Sequence, residues 1–327
     1  MNLRLTWLAI VAVLVSAACA TAGGQAGTEP APKTDGANGN QVAAAECGRV
    51  EGDRRIVKHA MGETAVSMEP ERVVVLDTGE LDNAFALGVK PVGAVEVGQG
   101  VAFASYLLDR VEGIETVGTI AQPSLEAIAA LNPDLILSNK VRHEAIYGQL
   151  SQIAPTVFAE GVGVTWKENL RLDAQALGKC EEAEELFASY EERLAAFKRL
   201  MGDRLAETKV SVIRSLPDQV RIYMNASFIG TVLADAGLPR PAAQNKDAFV
   251  EEATIERIPD LDGDAMFIAM FTDDNAQLET LRANPLWQQL KVVKADRVYV
   301  VPDGRWMLGI GMIAANEVLD DLYGYFL

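Results

Sequence analysis

Hydrophobic residues along the chain alternate between short β-branched runs and longer stretches with helical spacing. The run "RVVVLD" (72–77) is typical of a buried parallel strand, and "GELDNAFALG" follows with helical spacing and a glycine stop. Further strands are predicted at "KPVGAV", "DLILSN" and "TVFAEG", with helices at 124–132 and 143–151. Before them, residues 49–70 predict a β-hairpin with its turn at Gly62. This pattern indicates an α/β lobe with a mostly parallel sheet.

The strands then stop for about forty residues before the same alternation returns. "WKENLRLDAQALG" predicts a helix ending at Gly178, and Glu181–Met201 predicts a longer one, with acids in its first turns and bases in its last. At 1.5 Å per residue the second helix is roughly 30 Å long, which is the width of a lobe. The predicted fold is therefore α/β, with two Rossmann-like lobes (49–180 and 206–327) joined by a connecting helix over 181–205.

The N-terminal residues have a different composition from the rest of the chain. Residues 1–18 have a basic start, a short apolar core and small residues at the end, which predicts an export signal. Cys19 follows directly, so "VSAAC" resembles a lipoprotein cleavage site, although ordinary cleavage after Ala20 is the alternative. Residues 19–48 are rich in Gly, Ala and Pro and predict a flexible tether. We expect an exported, lipid-anchored protein that faces the periplasm or the cell exterior.

One pattern occurs twice, 130 residues apart. "PSLEAIAALNPDLILSN" and "ATIERIPDLDGDAMFIAM" each place a glutamate (Glu126, Glu256) two positions after a hydroxyl residue. An aspartate (Asp134, Asp264) follows eight positions later, ahead of an apolar run. One copy falls in each predicted lobe. The glutamates are interpreted either as helix-start acids favoured by the helix dipole or as surface groups for a partner.

Charge and residue inventory exclude several classes of function. A formal net charge of -17 argues against binding to nucleic acid. The chain has two histidines, which excludes a multi-histidine metal site, and it contains neither a G-x-S-x-G elbow nor a Walker motif. "GIGMIA" (309–314) matches a dinucleotide fingerprint, but only 13 residues follow it, too few for the rest of that fold. Cys47 and Cys180 could pair in an oxidising compartment.

Ligands of open parallel sheets bind beyond the carboxyl ends of the strands, and cationic and aromatic residues cluster at those positions here. Arg221 and Tyr223 lie two apart and hence on one face of their strand. Arginine forks bind oxyanions, and aromatic rings offer flat walls, so an anionic ligand in a cleft between the lobes is predicted. Each arginine could instead form a surface salt bridge, and Trp306 could pack in the core. The candidate ligand-binding residues are Thr78, Lys140, Arg142, Arg214, Arg221, Tyr223, Arg305 and Trp306.

Several segments in combination resemble a known family. "VGTIAQPSLEAIAALNPDLIL", "VRIYMNASFIGTVLADAGLPRP" and "NPLWQQLKVVKADRVYVVPDGRWMLGIG" are similar to the substrate-binding proteins of iron-siderophore and vitamin B12 ABC importers. These are two-lobed class III periplasmic binding proteins with a rigid helical backbone. The resemblance covers about residues 55–327 and is closer to the iron-siderophore branch.

The resemblance implies a function and two kinds of site. It implies capture of a ferric siderophore, with iron held by the siderophore and no protein cofactor or protein metal site. It also implies that Glu126 and Glu256 dock onto the two subunits of an ABC permease. We expect a monomer and an anionic carboxylate or mixed citrate-hydroxamate chelate. The alternatives are a haem or cobalamin carrier of the same class, an exported α/β enzyme, or a sensor subunit.

Overall fold

The computed structural model describes residues 47–98 and 100–327. The predicted signal, Cys19 and the tether up to residue 46 lie outside the described residues. The first described elements form a three-stranded antiparallel sheet of β1 (Arg49–Glu51), β2 (Arg54–His59) and β3 (Gly62–Ser67). His59 pairs with Gly62, so the predicted hairpin is confirmed, with its two-residue turn at Ala60 and Met61 rather than at Gly62.

A six-stranded sheet forms the centre of the N-terminal lobe. Its strand order is β7-β6-β5-β4-β8-β9, and every pairing except β6–β7 is parallel. The strands are β4 (Val73–Val75), β5 (Gly93–Glu96), β6 (Glu115–Thr119), β7 (Gln122–Pro123), β8 (Leu135–Asn139) and β9 (Thr156–Ala159). The intervening helices are α1 (Thr78–Ala86), α2 (Leu125–Ala130), α3 (Lys140–His143) and α4 (Tyr147–Ile153).

The hydrophobic pattern located four of these strands and missed two. β6 and β7 are short, and β6 has the sequence "ETVGT", in which only Val117 is fully buried. The helix predicted at 143–151 is split, because α3 starts at the end of β8 and α4 starts only at Tyr147. Asn139 caps α3 by accepting the Arg142 backbone N–H at 3.1 Å, so this helix starts at Lys140, three residues earlier than predicted.

Three helices link the lobes: α5 (Trp166–Leu177), α6 (Cys180–Met201) and α7 (Arg204–Glu207). α5 ends as predicted at Gly178, whose φ of 75° lies in the left-handed region. α6 contains 22 residues and buries one face, including Phe187, Tyr190 and Phe197. The long helix packs against α5 and against the C-terminal helix Met312–Phe326.

The C-terminal lobe contains a five-stranded mixed sheet in the order β12-β11-β10-β13-β14. The pairings β10–β13 and β13–β14 are parallel, whereas β10–β11 and β11–β12 are antiparallel. The strands are β10 (Val210–Ser215), β11 (Val220–Tyr223), β12 (Val250–Glu252), β13 (Ala265–Met270) and β14 (Val298–Pro302). The helices are α8 (Phe228–Asp235), a 3-10 helix (Ile255–Leu261), α9 (Ala276–Ala283), a 3-10 turn (Trp287–Gln289), α10 (Lys291–Lys294), a π-helical turn (Gly304–Leu308) and α11 (Met312–Phe326).

One buried carboxylate connects the lobes. Asp82, on α1, accepts the backbone N–H groups of Ile313 (2.8 Å) and Ala314 (3.0 Å) at the start of α11. It also accepts the hydroxyl of Tyr106 at 2.6 Å. A side chain at Gly311 would collide with the Asp82 carboxylate, so this glycine admits the carboxylate to the helix end. Gly311, the second glycine of "GIGMIA", thus lies at the start of the last helix, and Gly309 ends the π-helical turn before it.

Two cysteines join the start of the described chain to the long helix. Cys47, two residues before β1, forms a disulfide with Cys180, the first residue of α6. The bond closes a separation of 133 residues, which includes the whole sheet of the N-terminal lobe. The pairing left open by the sequence is therefore made.

A second buried carboxylate lies where α1 packs on α5. Asp173 accepts a single hydrogen bond, from Asn83 Nδ2 at 2.7 Å, and the amide oxygen of Asn83 has no partner. Burial raises the pKa of Asp173 to about 7. A carboxyl group whose folded pKa is raised stabilises the fold most at low pH, and this contribution is lost as the pH rises through the folded pKa.

We therefore expect Asp173→Asn to stabilise the protein at pH 8. The new amide can accept from Asn83 Nδ2 and donate to the unpaired Asn83 oxygen, without a buried charge. The gain should be on the order of 1–3 kcal/mol at pH 8 and close to zero at pH 5, where Asp173 is already protonated. Urea unfolding at both pH values measures it. A loss of stability at pH 8 would contradict this account.

Candidate functional site

A cavity of about 940 Å³ lies between the lobes, beyond the carboxyl ends of the parallel strands. The N-terminal lobe contributes residues that follow β4, β5, β6, β8 and β9. The C-terminal lobe contributes residues that follow β10 and β13, together with residues of β11 and of the π-helical turn. Cavities of this volume are typical of sites for small molecules. The position agrees with the prediction of a ligand cleft between lobes.

The wall formed by the N-terminal lobe contains an arginine held by a buried aspartate. Asp77 follows β4 and caps α1, accepting the Thr78 backbone N–H at 2.7 Å. Arg142, on α3, donates from Nε to Asp77 Oδ2 at 3.0 Å. The Arg142 side chain is 42% exposed and that of Asp77 is fully buried, so the guanidinium reaches from a buried anchor to the cavity.

The opposite wall repeats this arrangement in the C-terminal lobe. Arg214, at the end of β10, donates from Nε and Nη2 to the two carboxylate oxygens of Asp303, at 2.6 and 2.7 Å. Its third nitrogen, Nη1, donates to the Tyr223 hydroxyl at 3.4 Å, and its guanidinium lies 4.9 Å from the ring centre of Phe271. Burial disfavours the charged form of Arg214, but Asp303 outweighs it and raises the pKa of the guanidinium.

Two arginines face each other across the antiparallel pair β10–β11. Arg214 is the direct cross-strand partner of Arg221, which also lines the cavity. Like charges in this position repel, and Asp303 reduces that repulsion by neutralising Arg214. Within the described residues the Arg221 side chain forms no ion pair or hydrogen bond, not even with Glu252, which lies opposite it on β12. Among the cavity arginines it is thus the one whose charge has no compensating carboxylate.

Apolar side chains that the sequence analysis did not single out complete the cavity. Val141 and Phe249 line it and are 64% and 55% exposed, unusual values for residues of this type. Phe249 packs edge-on against Tyr223, with ring centres 5.6 Å apart. Val141 lies between the candidates Lys140 and Arg142, just beyond the carboxyl end of β8, so its position in the sequence could have predicted it. Phe249 precedes β12 and has no such signal.

Six of the eight candidate residues line the cavity, and five of them bring a hydroxyl or guanidinium group to its wall: Thr78, Arg142, Arg214, Arg221 and Tyr223. Trp306 borders it too, but its side chain is 0% exposed, its ring packs on Phe267, and its indole N–H donates to Asp321 at 2.7 Å. The expected flat wall at Trp306 is therefore replaced by core packing.

The two remaining candidates are paired away from the cavity. Arg305 donates to both oxygens of Asp321, at 2.7 and 2.8 Å, and pairs with Glu317, so the π-helical turn directs it toward α11. Lys140 lies 3.3 Å from Glu160 at the surface. Neither residue lines the cavity, which corrects their expected placement; the physical reason is a nearer carboxylate on the same lobe.

Glu126 and Glu256 are both exposed at the first turn of a helical segment, as predicted. The two aspartates of the repeat have equivalent structural roles. Asp134 accepts the backbone N–H groups of Glu71 and Arg72 just before β4, and Asp264 accepts that of Lys209 just before β10. Each aspartate therefore fixes the entry of the first strand of its sheet.

Among the described residues, no cluster of three or more His, Cys, Asp or Glu side chains could hold a metal ion. Within the same part of the chain, no helix has both the length and the apolar composition needed to cross a membrane.

A sequence profile described as "Periplasmic binding protein" matches residues 73–304. The chain belongs to this family. Its members are substrate-binding proteins rather than enzymes. The probable siderophore-binding lipoprotein YfiY of Bacillus subtilis is 42% identical over 286 residues, covering 84% of this chain and 88% of that protein. The achromobactin-binding periplasmic protein of Dickeya dadantii is 32% identical, covering 77% of this chain and 85% of that protein.

Solved structures of the family have the same two-lobed fold. Staphylococcus aureus SirA complexed with staphyloferrin B superimposes with a TM-score of 0.75 at 34% identity, covering 83% of this chain and 97% of that one. The predicted class III fold, with parallel-rich sheets in two lobes, is thereby confirmed.

The buried pair in the C-terminal wall gives a stability prediction. Asp303→Ala would leave the Arg214 guanidinium buried without a carboxylate, which should cost about 3 kcal/mol of unfolding free energy. The double variant Arg214→Met, Asp303→Ala removes the orphaned charge as well and should be more stable than the single variant. Denaturant unfolding of the wild type and of these variants tests this. If the double variant were the less stable of the two, the pair would not be the cause.

Proposed function

We propose that this protein captures a ferric siderophore outside the cytoplasm and delivers it to an ABC permease. The observation that carries the proposal is the cavity between the lobes, with Arg221 uncompensated and placed opposite Arg214. Such a site attracts an anion and holds it by charge-assisted hydrogen bonds. The protein acts as a carrier, without catalysing a reaction on its ligand.

The names of the relatives support this function. They include a siderophore-binding lipoprotein, an achromobactin-binding protein and the Fe(3+)-citrate-binding protein YfmC of Bacillus subtilis. SirA, whose structure superimposes well, was crystallised with staphyloferrin B. On this basis the cargo is iron already wrapped by a chelator, and the protein itself needs no resident cofactor.

The charges of the cavity favour an anionic chelate of the carboxylate or mixed citrate-hydroxamate type. Asp77 and Asp303 are paired with Arg142 and Arg214, whereas the Arg221 side chain has no ion pair; the exposed Asp218 also lines the cavity, so the preference rests on Arg221 being unpaired and not on a net positive charge. The exposed faces of Val141 and Phe249 accommodate the less polar parts of the chelator. The five side chains that we propose to contact it are Thr78, Arg142, Arg214, Arg221 and Tyr223.

A haem carrier is less well supported by this cavity. An axial ligand would have to come from Tyr or His, but the Tyr223 hydroxyl accepts from Arg214, and His143 is bound to Ser138 and to the Ile120 carbonyl. Both groups are therefore occupied by protein partners.

We further propose that Cys19 carries a lipid anchor and that Glu126 and Glu256 dock on the permease. Several relatives are named lipoproteins. The two glutamates are exposed, and each lies eight positions before the aspartate that fixes the first strand of its lobe. Equivalent positions on two lobes suit a partner with two similar subunits.

Native mass spectrometry with a panel of ferric chelates tests the proposed cargo. We expect retention of one or more anionic chelates, such as ferric citrate or ferric staphyloferrin B, and weaker retention of a neutral ferric trihydroxamate. Arg221→Ala should weaken binding of the retained anion by about 10- to 100-fold, because a charge-assisted bond is lost. Arg171→Ala, which removes a surface arginine from α5, is the matched control. Tight binding of the neutral chelate alone would overturn the assignment.

The docking proposal is separable from ligand binding. Glu126→Ala, Glu256→Ala and the double variant should bind the chelate with unchanged affinity, since both glutamates are exposed and do not line the cavity. Uptake of ⁵⁵Fe by cells that carry the variants should fall, most strongly in the double variant. Glu207→Ala, which removes a surface acid on α7, serves as the control. Normal uptake by the double variant would refute docking through these residues.

A further inference from the structure

The lobes contact each other directly along a seam, in addition to the helices that link them. On the N-terminal side, the seam consists of α1 and the 3-10 turn Ser105–Leu107; on the C-terminal side, it consists of the π-helical turn and the start of α11. Thr78 on α1 and Ile310 just before α11 both line the ligand cavity. A change in the seam therefore reaches both walls of the site.

Glycines allow the two sides of the seam to approach each other closely. A Cβ atom at Gly309 would lie 2.6 Å from the Tyr106 hydroxyl oxygen, and one at Gly311 would collide with the Asp82 carboxylate. The backbone of Gly311 is extended, with φ at -145°, so its conformation does not require glycine. The contact with Asp82 is what excludes a side chain at this position.

The carboxylate of Asp82 is the polar centre of the seam. It is 0% exposed, and it accepts from the N–H groups of Ile313 and Ala314 on α11 and from the Tyr106 hydroxyl. Burial raises the pKa of Asp82 to about 6, so the group is ionised at pH 8. A negative charge is stabilised at the N-terminus of a helix, and α11 has 15 residues. Charge-assisted hydrogen bonds thus join the two lobes at Asp82.

We propose that Asp82 is a positioning residue for ligand binding, which latches α11 to α1 and holds the two arginine walls at a fixed separation. The latch follows from the seam, and its effect on a ligand rests on the proposed function. An anion that bridges Arg142 on one wall and Arg221 on the other must match their separation, because hydrogen bonds weaken steeply when their geometry is disturbed. Lobes that move apart at the seam would release such a ligand faster.

Asp82→Asn replaces one acceptor of the latch by a donor. The amide oxygen can accept one backbone N–H group of α11, but the amide nitrogen then faces the other. Ala314 is fully buried, so an N–H group at this helix start would remain without an acceptor, which is unfavourable. The helix start also loses its negative charge. The variant should therefore loosen the seam and leave Arg142 and Arg221 in place.

Electron–electron double resonance between the lobes tests the latch without any ligand. Spin labels are attached through p-acetylphenylalanine at the exposed positions 151 on α4 and 283 on α9, so that no cysteine is modified. At pH 8, Asp82→Asn should broaden the distribution of distances between the labels. Asp173→Asn, the same change at a buried carboxylate that does not contact α11, should keep the distribution of the wild type. An unchanged distribution in Asp82→Asn would refute the latch.

Stopped-flow fluorescence tests the effect on the ligand. The probe is ferric citrate, or the anionic chelate that the mass-spectrometric panel shows to bind best. For Asp82→Asn we expect dissociation about tenfold faster than for the wild type, with nearly unchanged association, because the arginines that attract the anion are intact. A merely structural role would lower the free energy of unfolding and leave both rate constants of the folded protein unchanged.

Gly311→Ala tests the same contact from the other lobe. The extended backbone accepts alanine and no hydrogen-bonding group is lost, but the new Cβ atom displaces the Asp82 carboxylate. Label distances and dissociation should change as in Asp82→Asn. The double variant should be no worse than the more severe single variant, because both changes break one contact. Gly324→Ala, in open space on α11, is the matched control. Additive effects in the double variant would contradict a shared latch.

The outcomes separate this inference from the proposed function. If no chelate of the panel binds the wild type, the proposed function fails and the claim about dissociation fails with it, whereas the label distances still decide whether Asp82 holds the lobes. If a chelate binds and leaves the wild type, Asp82→Asn and Gly311→Ala at the same rate, the positioning role of Asp82 is wrong and the proposed function stands.

Discussion

Burying a charged arginine costs free energy that a carboxylate offsets, and this constraint organises the cavity. Arg214 is buried only because Asp303 binds it at two points, and Arg142 is anchored by Asp77. Arg240 shows the opposite case: it donates to the carbonyls of Val210 and Tyr223 without a carboxylate, and burial lowers its pKa to about 10. The number of acids in the wall therefore decides how much positive charge a ligand meets, and counting arginines alone overstates it.

The same constraint explains which site residues could be predicted from the sequence. Residues just beyond the parallel strands were recognisable because strand ends converge at one edge of a sheet, which located Thr78, Arg142 and Arg214. Arg305 and Trp306 also follow a strand, but both bind Asp321, 15 to 16 residues further along. A sequence does not show which carboxylate lies nearest a cation. The exposed ring of Phe249 was missed for a related reason, because its place depends on loop geometry.

The two segments that share a sequence pattern, one in each lobe, also share a hydrogen-bonding arrangement. Asp134 and Asp264 each accept backbone N–H groups at the entry of the first strand of their sheet. The helical segments between are not equivalent: α2 is capped by Ser124, whereas its counterpart is a 3-10 helix that contains Pro259 and lacks a cap from Thr254. The aspartates account for the spacing through the fold. Each glutamate contacts the hydroxyl residue two positions before it, Glu126 accepting from Ser124 at 3.4 Å and Glu256 from Thr254, and both side chains remain exposed.

The disulfide between Cys47 and Cys180 also sets the path of mechanical load. Any pull on Cys47 acts directly on its covalent link to the start of α6. The tension passes into the 22-residue helix that spans the two lobes, and the three short strands β1–β3 are bypassed. A small edge sheet would peel under such a force one hydrogen bond at a time. With the crosslink in place, the described chain begins at a residue that is covalently bound to the longest of its described helices.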